Sequence, residues 1–362
     1  MACSQSGTEL MTKIGKELVS RNARKLLKFM SERREAISPL LILTHDYPDP
    51  DALASAFALQ FLAQKGFGIE ARIVYGGIVG RMENRAMVRL LKIPAHKIRP
   101  RDFRKFSAVA LVDTQPDFKN NPFPGGRKAA IVIDQHVSVS KPAADFSIID
   151  PECGATSVIL AQALLVSHSD IPANVATALA YGIQSDTLNL YRAGQPHISR
   201  TYLDMLLRCD LRSLAQIQNP PRSRRFFSTL SKAIHRAMIR RQLIVSHLGD
   251  VENPDLIAQA ADFLLTYKGL RWSFVTGRYK GRLHVSLRMT NPNAEAGEIL
   301  RDIFQNRGDA GGHDSIAGGS LKVAAGADEA LWLQAEAALV EKLSKRLRIP
   351  SKSEFYFPFR KT

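Results

Sequence analysis

Leu40-Leu41-Ile42-Leu43 runs straight into Thr44-His45-Asp46-Tyr47-Pro48-Asp49-Pro50-Asp51 and on into Ala52-Leu53-Ala54. Four apolar residues, a polar turn punctuated by proline and an alanine-rich stretch reaching Lys65 read as strand, loop and helix. The same handover recurs downstream. Ala108 to Val112 ends at Asp113, Ala129 to Ile133 ends at Asp134-Gln135-His136, and the apolar run Ala178 to Ile183 leads through Gln184-Ser185 to Asp186. With a helix-like stretch from Ser157 to Ser167 between them, this alternation predicts an α/β fold on a mostly parallel sheet.

The carboxylates fall where such a sheet binds its ligands, outside the carboxyl ends of the strands. Gathered on one rim they repel one another and call for a compensating charge, most simply a divalent cation. One Asp after a strand commonly does no more than cap the next helix, as Asp51 would before Ala52-Leu53-Ala54, and a lone His45 is ordinarily structural. Repetition at four expected strand ends, two of them with a His nearby, weighs in favour of a shared metal site.

Outside this region the chain changes character twice. Residues 1–38 form a basic, helix-prone extension in which Ile14, Leu18, Leu26, Leu27 and Met30 alternate with Lys13, Lys16, Arg24 and Lys28. A second basic stretch, with Arg200, Arg208, Arg212, Arg222, Arg224, Arg225, Lys232, Arg236, Arg240 and Arg241, is broken by Asn219-Pro220-Pro221. The organisation expected is therefore an extension over 1–38, a larger α/β domain over 39–200, a helical connector over 201–245, a smaller α/β domain over 246–346 and a basic tail over 347–362. In the smaller domain, strands are expected over Leu270 to Thr276 and Arg282 to Arg288. A helix over Ala294 to Asn306, a glycine-rich loop over Gly308 to Gly319 and a last helix over Ala327 to Arg346 complete it.

Composition narrows the function classes. At 362 residues with 45% hydrophobic and 23% charged, the chain has material for two cores and is not a disordered polymer. Its net charge of +16 favours polyanionic partners, with longer RNA or DNA engaged through the basic surface. Aromatic residues at 7% do not supply a long base-stacking platform. Cys3, Cys153 and Cys209 are too few and too scattered for a disulfide framework or a thiolate zinc site. The expected setting is soluble and cytoplasmic, without a membrane partner, and a homodimer is compatible with it. No phosphate-binding P-loop, His-Glu-x-x-His or Gly-x-Ser-x-Gly motif occurs.

The ordered set of motifs resembles the DHH phosphoesterase superfamily, which includes RecJ-like exonucleases, NrnA-like nanoRNases and family II pyrophosphatases. The first motif stands complete as His45 to Ala52, the second as Asp113-Thr114, and the fourth within Gly182 to Thr187. The third, named for Asp-His-His, reads Asp134-Gln135-His136. In the smaller domain Ala310-Gly311-Gly312-His313 matches a Gly-Gly-Gly-His motif and Ser286-Leu287-Arg288 a Ser-Leu-Arg strand. The resemblance implies a hydrolase with two divalent cations, Mn²⁺ foremost and Mg²⁺ or Co²⁺ as alternatives. His45, Asp49 and Asp113 would hold one ion; Asp51, Asp113, Gln135 and Asp186 would hold the other. Asp113 and His136 would be the catalytic pair, the imidazole facing the phosphoryl group.

Ser286, Arg288, Gly311, Gly312 and His313 would grip a second phosphate, with Asn84 and Arg85 as further contacts. The implied substrates are short oligonucleotides, linear dinucleotides or nucleoside 3′,5′-bisphosphates. Cyclic dinucleotides and pyrophosphate or polyphosphate are alternatives, and a nucleotide- or RNA-binding regulator with degenerate catalysis is one of another class. Gln135 departs from the family pattern by putting a neutral amide where an imidazole is expected. An altered metal preference, a second site filled only with substrate, and a weakened catalyst are all compatible with that exchange.

Overall fold

The computed structural model describes residues 21–138, 140–291, 294–305, 308–313, 315–324, 326–350 and 353–360. The chain forms two compact units that divide between Pro220 and Pro221. The first carries six strands: β1 (Leu40–Leu43), β2 (Ala71–Tyr75), β3 (Ala95–Lys97), β4 (Ala108–Val112), β5 (Ala129–Asp134) and β6 (Ala144–Ile149). Their order is β3-β2-β1-β4-β5-β6 and every neighbouring pair is parallel. Helices in this unit are α1 (21–33), α2 (Pro50–Phe61), α3 (Met82–Leu90), α4 (Asp102–Lys105), α5 (Thr156–Val166), α6 (Ala173–Asp186), α7 (Pro196–Leu206) and α8 (Leu211–Gln218).

Strand side chains alternate between two cores, as the two-residue period requires. Leu40, Ile42, Ile73, Ala110, Val112, Ile131 and Ile133 pack with buried residues of α2, α5 and α6, whereas Leu41, Leu43, Val74, Leu111 and Val132 pack with Phe106 and Phe123. Both faces of the sheet are thus covered, which explains the unbroken apolar strands. Ala23, Leu26 and Met30 of α1 join the first core, so the amphipathic helix expected in the extension rests on it over 21–33. Residues 1–20 of that extension lie outside the described residues.

One expectation is overturned here. Ala178–Ile183 is not a strand but the middle of the 14-residue helix α6. Val175, Ala176, Ala178, Leu179, Ala180 and Ile183 are all buried, so the helix is apolar nearly all round and short windows of it mimic a buried strand. Three strands, β2, β3 and β6, were not anticipated.

The second unit contains α9 (Arg224–Arg236), α10 (Asp255–Leu265), α11 (Ala296–Phe304) and α12 (Glu329–Arg346). Its six strands are β7 (Met238–Arg240), β8 (Leu243–Asp250), β9 (Trp272–Tyr279), β10 (Arg282–Met289), β11 (Gly308–His313) and β12 (Ile316–Lys322), in the order β11-β12-β10-β9-β8-β7. β8 and β9 pair parallel and the other pairs are antiparallel. The expected glycine-rich loop is a hairpin, β11–β12. Its glycines permit close approach: a Cβ on Gly297 of α11 would stand 2.2 Å from the Gly312 carbonyl oxygen, and one on Gly319 would stand 2.6 Å from that of Asp309. The segment expected as a connector, 201–245, is split, with α8 on the first side of the boundary and α9 on the second. Among the described residues no helix is long and apolar enough to cross a membrane.

Candidate metal centre

In the first unit β1, β4 and β5 finish level with one another, because Leu43 pairs with Leu111 and Val112 with Ile133. That register sets His45, Asp113 and Asp134 side by side on the rim. Asp49 caps α2, its Oδ1 accepting from the Ala52 amide at 3.0 Å, with Pro50 at the first helical position where no N–H is needed. Asp51, in the first turn of α2, is not its cap and serves α5 instead. Ala155 has no side chain to cap that helix. Instead Asp51 Oδ2 accepts from the Thr156 amide and Oδ1 from the Ser157 amide, each at 2.7 Å. One carboxylate therefore ties the starts of two helices together.

Asp113 follows β4 with φ +59°, a left-handed conformation that aspartate enters more readily than most residues. Its Oδ1 accepts from Thr156 Oγ1 at 2.8 Å. Asp134 is fully buried; its Oδ1 takes the His136 amide at 3.2 Å and pairs with His136 Nδ1 at 2.8 Å, while Oδ2 accepts from Gln115 Nε2 at 2.7 Å. With Nδ1 so engaged, Nε2 is the ring nitrogen of the half-exposed His136 left for a further contact, and the ring meets Phe118 edge to face. Asp186 arrives from the C-terminal end of α6, where Gln135 Nε2 donates to its Oδ2 and stands 3.4 Å from Asp51 Oδ2. His45 Nε2 lies 3.9 Å from Asp49 Oδ1 and 3.7 Å from Asp113 Oδ2.

This convergence perturbs Asp49, Asp51, Asp113 and Asp186. Burial, reinforced by the charges of Asp113, Asp186 and Asp49, drives the Asp51 carboxyl well above its usual range. Burial and then the charge of Asp49 do the same to Asp113. Burial and Asp49 lift Asp186 to about 6 against the hydrogen bond from Gln135. At Asp49 burial opposes ionisation, but the hydrogen bond and charge of His45 prevail and bring it down to about 2. The hydrogen bond to Asp134 holds His136 protonated, up to about 10. Carboxylates gathered at this density demand cationic company. The donor atoms fit it: His45, Asp49 and Asp113 each turn one ligand atom to within 4.8 Å of the others. Carboxylate oxygens with one imidazole suit a hard or borderline divalent cation such as Mn²⁺ or Mg²⁺.

The expected substrate contacts are placed differently from one another. Asn84 is buried and its amide donates to the Pro48 carbonyl at 3.2 Å, so it holds the loop between His45 and Asp49. Arg85 is exposed on the same helix. In the second unit, Arg288 is 6% exposed and not a free fork: Nε donates to Asp262 of α10 and Nη1 to the carbonyls of Leu287 and Ala317. On the same face of β10, Ser286 Oγ is buried with no hydrogen-bond partner among the described residues. Gly311 is exposed, Gly312 has φ +152°, and the side chain of His313 lies outside the described residues.

Residues 39–183 match the DHH family, N-terminal domain, and residues 240–344 match the DHHA1 domain. The chain belongs to the DHH family. An uncharacterised protein of Methanocaldococcus jannaschii is 34% identical over 309 residues, covering 84% of this chain and 63% of that protein. A probable manganese-dependent inorganic pyrophosphatase of Streptococcus pyogenes is 25% identical over 185 residues, covering 50% of this chain and 57% of the relative. The chain thus spans less than two thirds of the length of either. The crystal structure of an exopolyphosphatase-related protein from Bacteroides fragilis shares the fold, with a TM-score of 0.70 at 16% identity over 90% of this chain and 97% of that one.

Four participants escaped sequence reading, three in the DHH domain and one in the DHHA1 domain. Thr156 and Ser157 touch the site through a backbone N–H each, which no side-chain pattern announces. The Ser/Thr pair at a helix start was the available signal, and it points to capping. Gln115, which fixes Asp134, and Asp262, which fixes Arg288, lie far in sequence from the residues they hold.

Proposed function

We propose that this DHH-family chain is a metal-dependent phosphoesterase that hydrolyses short oligonucleotides, linear dinucleotides or nucleoside 3′,5′-bisphosphates. The observation that carries the reading is the meeting of Asp49, Asp51, Asp113 and Asp186 with His45 and His136 on one sheet rim, mostly buried and short of positive charge. One cation would be held by His45, Asp49 and Asp113, and a second would lie towards Asp51, Asp186 and Gln135. When bound, such cations polarise phosphoryl oxygens and lower the pKa of water. The chain's own groups supply the rest. Asp113, locked by Thr156, is placed to orient an attacking water. His136, kept protonated and aimed by Asp134 and Gln115, is placed to donate from Nε2 to the leaving oxygen. In the second unit the unpartnered Ser286 hydroxyl and the exposed backbone of Gly311 supply donors for a further phosphate.

Hydrolysis of pyrophosphate is the second reading, favoured by the manganese-dependent pyrophosphatase among the relatives. Purified protein with Mn²⁺ is offered pApA, pAp, cyclic di-AMP and pyrophosphate. Turnover of the linear dinucleotide or bisphosphate ahead of the others, lost in Asp113→Asn, is the expected result. Preference for pyrophosphate would transfer the assignment to the second reading. Binding of nucleotide without turnover under Mn²⁺, Mg²⁺ or Co²⁺ would leave a regulator.

A further inference from the structure

Gln135 carries an inference that rests on the proposed function but concerns how the cations are held. Its side-chain amide reaches towards two carboxylate oxygens, Asp186 Oδ2 in direct contact and Asp51 Oδ2 at 3.4 Å. The amide atom facing both is Nε2, so the NH₂ end lies towards them, and the carbonyl oxygen in that place would meet acceptor oxygens. An imidazole has a lone pair to offer a cation there, whereas an amide nitrogen has none. Gln135 becomes a ligand only by turning its Oε1 inward, which gives up its hydrogen bond to Asp186. Asp51, the neighbouring donor, already has one backbone N–H on each oxygen. The first position is less encumbered: the His45, Asp49 and Asp113 ligand atoms are grouped within 4.8 Å, and Asp49 and Asp113 each accept a hydrogen bond on Oδ1, where Asp51 accepts one on each oxygen.

We infer that Gln135 makes the two cation positions unequal: its NH₂ stands in for the second cation between Asp51 and Asp186, so one divalent ion is resident and the second enters only when a phosphoryl oxygen completes its ligands. The amide is then a placeholder that softens repulsion between carboxylates in the singly loaded protein and rotates when the second ion arrives. A neutral oxygen ligand also makes that second position one for hard cations, Mg²⁺ or Mn²⁺, in preference to metals that favour nitrogen.

The test is a Mn²⁺ titration of the full chain by calorimetry, with electron paramagnetic resonance on the same samples. Wild type is expected to bind one equivalent with a six-line, uncoupled spectrum, and its second dissociation constant should be at least about 10-fold weaker, the scale on which ligand-shell changes act. Added inorganic phosphate should bring the second constant down and produce an exchange-coupled signal. Gln135→His should bind two equivalents and show the coupled signal without phosphate. Gln135→Glu, almost isosteric, keeps the idea testable should the histidine variant misfold, because its added anion should also tighten the second site and make thermal stability depend more steeply on Mn²⁺. Two tight, coupled ions in wild type without an anion would overturn the placeholder and leave the phosphoesterase reading standing. So would folded variants that leave the second constant unchanged. No Mn²⁺ binding at all would remove both.

Discussion

Replacing Thr156 by Val isolates one hydrogen bond at the centre of the site. Valine keeps the branched shape of threonine and replaces only its hydroxyl, at a position that is fully buried against the 3% exposed Asp113. The bond lost is Thr156 Oγ1 to Asp113 Oδ1, 2.8 Å long, and the backbone N–H of residue 156 remains to hold Asp51. Hydrogen bonds to charged groups contribute about 1.5–3 kcal/mol. Removing a partner that orients a metal ligand commonly weakens metal binding about 10–100-fold, and at about 1.4 kcal/mol per factor of ten that is the same range. Two independent routes therefore give one expectation: Mn²⁺ affinity falls about 10–100-fold in Thr156→Val and returns nearly to wild type in Thr156→Ser, which restores the hydroxyl. Isothermal calorimetry reads the constants, and a denaturant melt of each protein shows that the fold is kept. A valine variant that binds Mn²⁺ as wild type does would refute the claim that Thr156 orients Asp113.

Two further outcomes follow from features away from the metal ligands. A Cβ on Gly182 would stand 2.9 Å from Ala54 Cβ, 3.0 Å from Ser157 Oγ and 3.1 Å from the Pro50 carbonyl; overpacking of about 1–3 kcal/mol, offset by about 1 kcal/mol of helix propensity, leaves Gly182→Ala about 0–2 kcal/mol less stable. Because α2 and α5 must give way together, its Mn²⁺ affinity should fall too, and an unchanged titration would show that the close packing does not set the site. In the second unit, burial and the charges of Arg278 and Arg236 depress His247 to about 4 from 6.5, its Nδ1 lying 2.8 Å from Thr276 Oγ1. Between those values the unfolded chain takes up a proton that the native chain refuses, so this contribution is complete above about pH 6.5 and is lost as pH falls towards 4, amounting to about 3 kcal/mol at most. Glu336, whose carboxyl is pushed up chiefly by burial, works in the opposite sense. Denaturant midpoints of His247→Gln and wild type from pH 7 to 4 isolate the histidine, and parallel curves would show that it titrates alike in both states.

The residues of the candidate metal centre were legible because most of them sit in a short sequence grammar: an apolar run, then an acidic or histidine-bearing turn. β1, β4 and β5 follow that grammar and their register delivers His45, Asp113 and Asp134 to one rim. Asp186 was expected at a strand end and instead ends a buried helix, whose alanines look like a strand in a window of six. The structural part that Asn84 plays was hidden, because only tertiary structure reveals the Pro48 carbonyl that it satisfies. The β11–β12 hairpin was read as a loop because glycine lowers strand propensity, whereas the glycines there answer to backbones approaching one another. What sequence hid was mostly backbone chemistry and partners distant along the chain.

The arrangement of hydrogen bonds explains how such an acidic rim can form during folding. Asp49 and Asp51 accept amide N–H groups at the starts of α2 and α5, where the helix dipole favours negative charge. Asp134 is answered by Gln115 and His136. Asp113 and Asp186 have no such helix start: one receives a hydroxyl from Thr156, the other an amide from Gln135, and Asp186 stands at the end of α6, where the dipole is unfavourable to it. The fold thus gives Asp49 and Asp51 helix-start N–H groups and leaves Asp113 and Asp186 without them, while Asp51, Asp113 and Asp186 all stay short of positive charge. A cation at the proposed site would supply the positive charge that the polypeptide itself does not bring to these carboxylates.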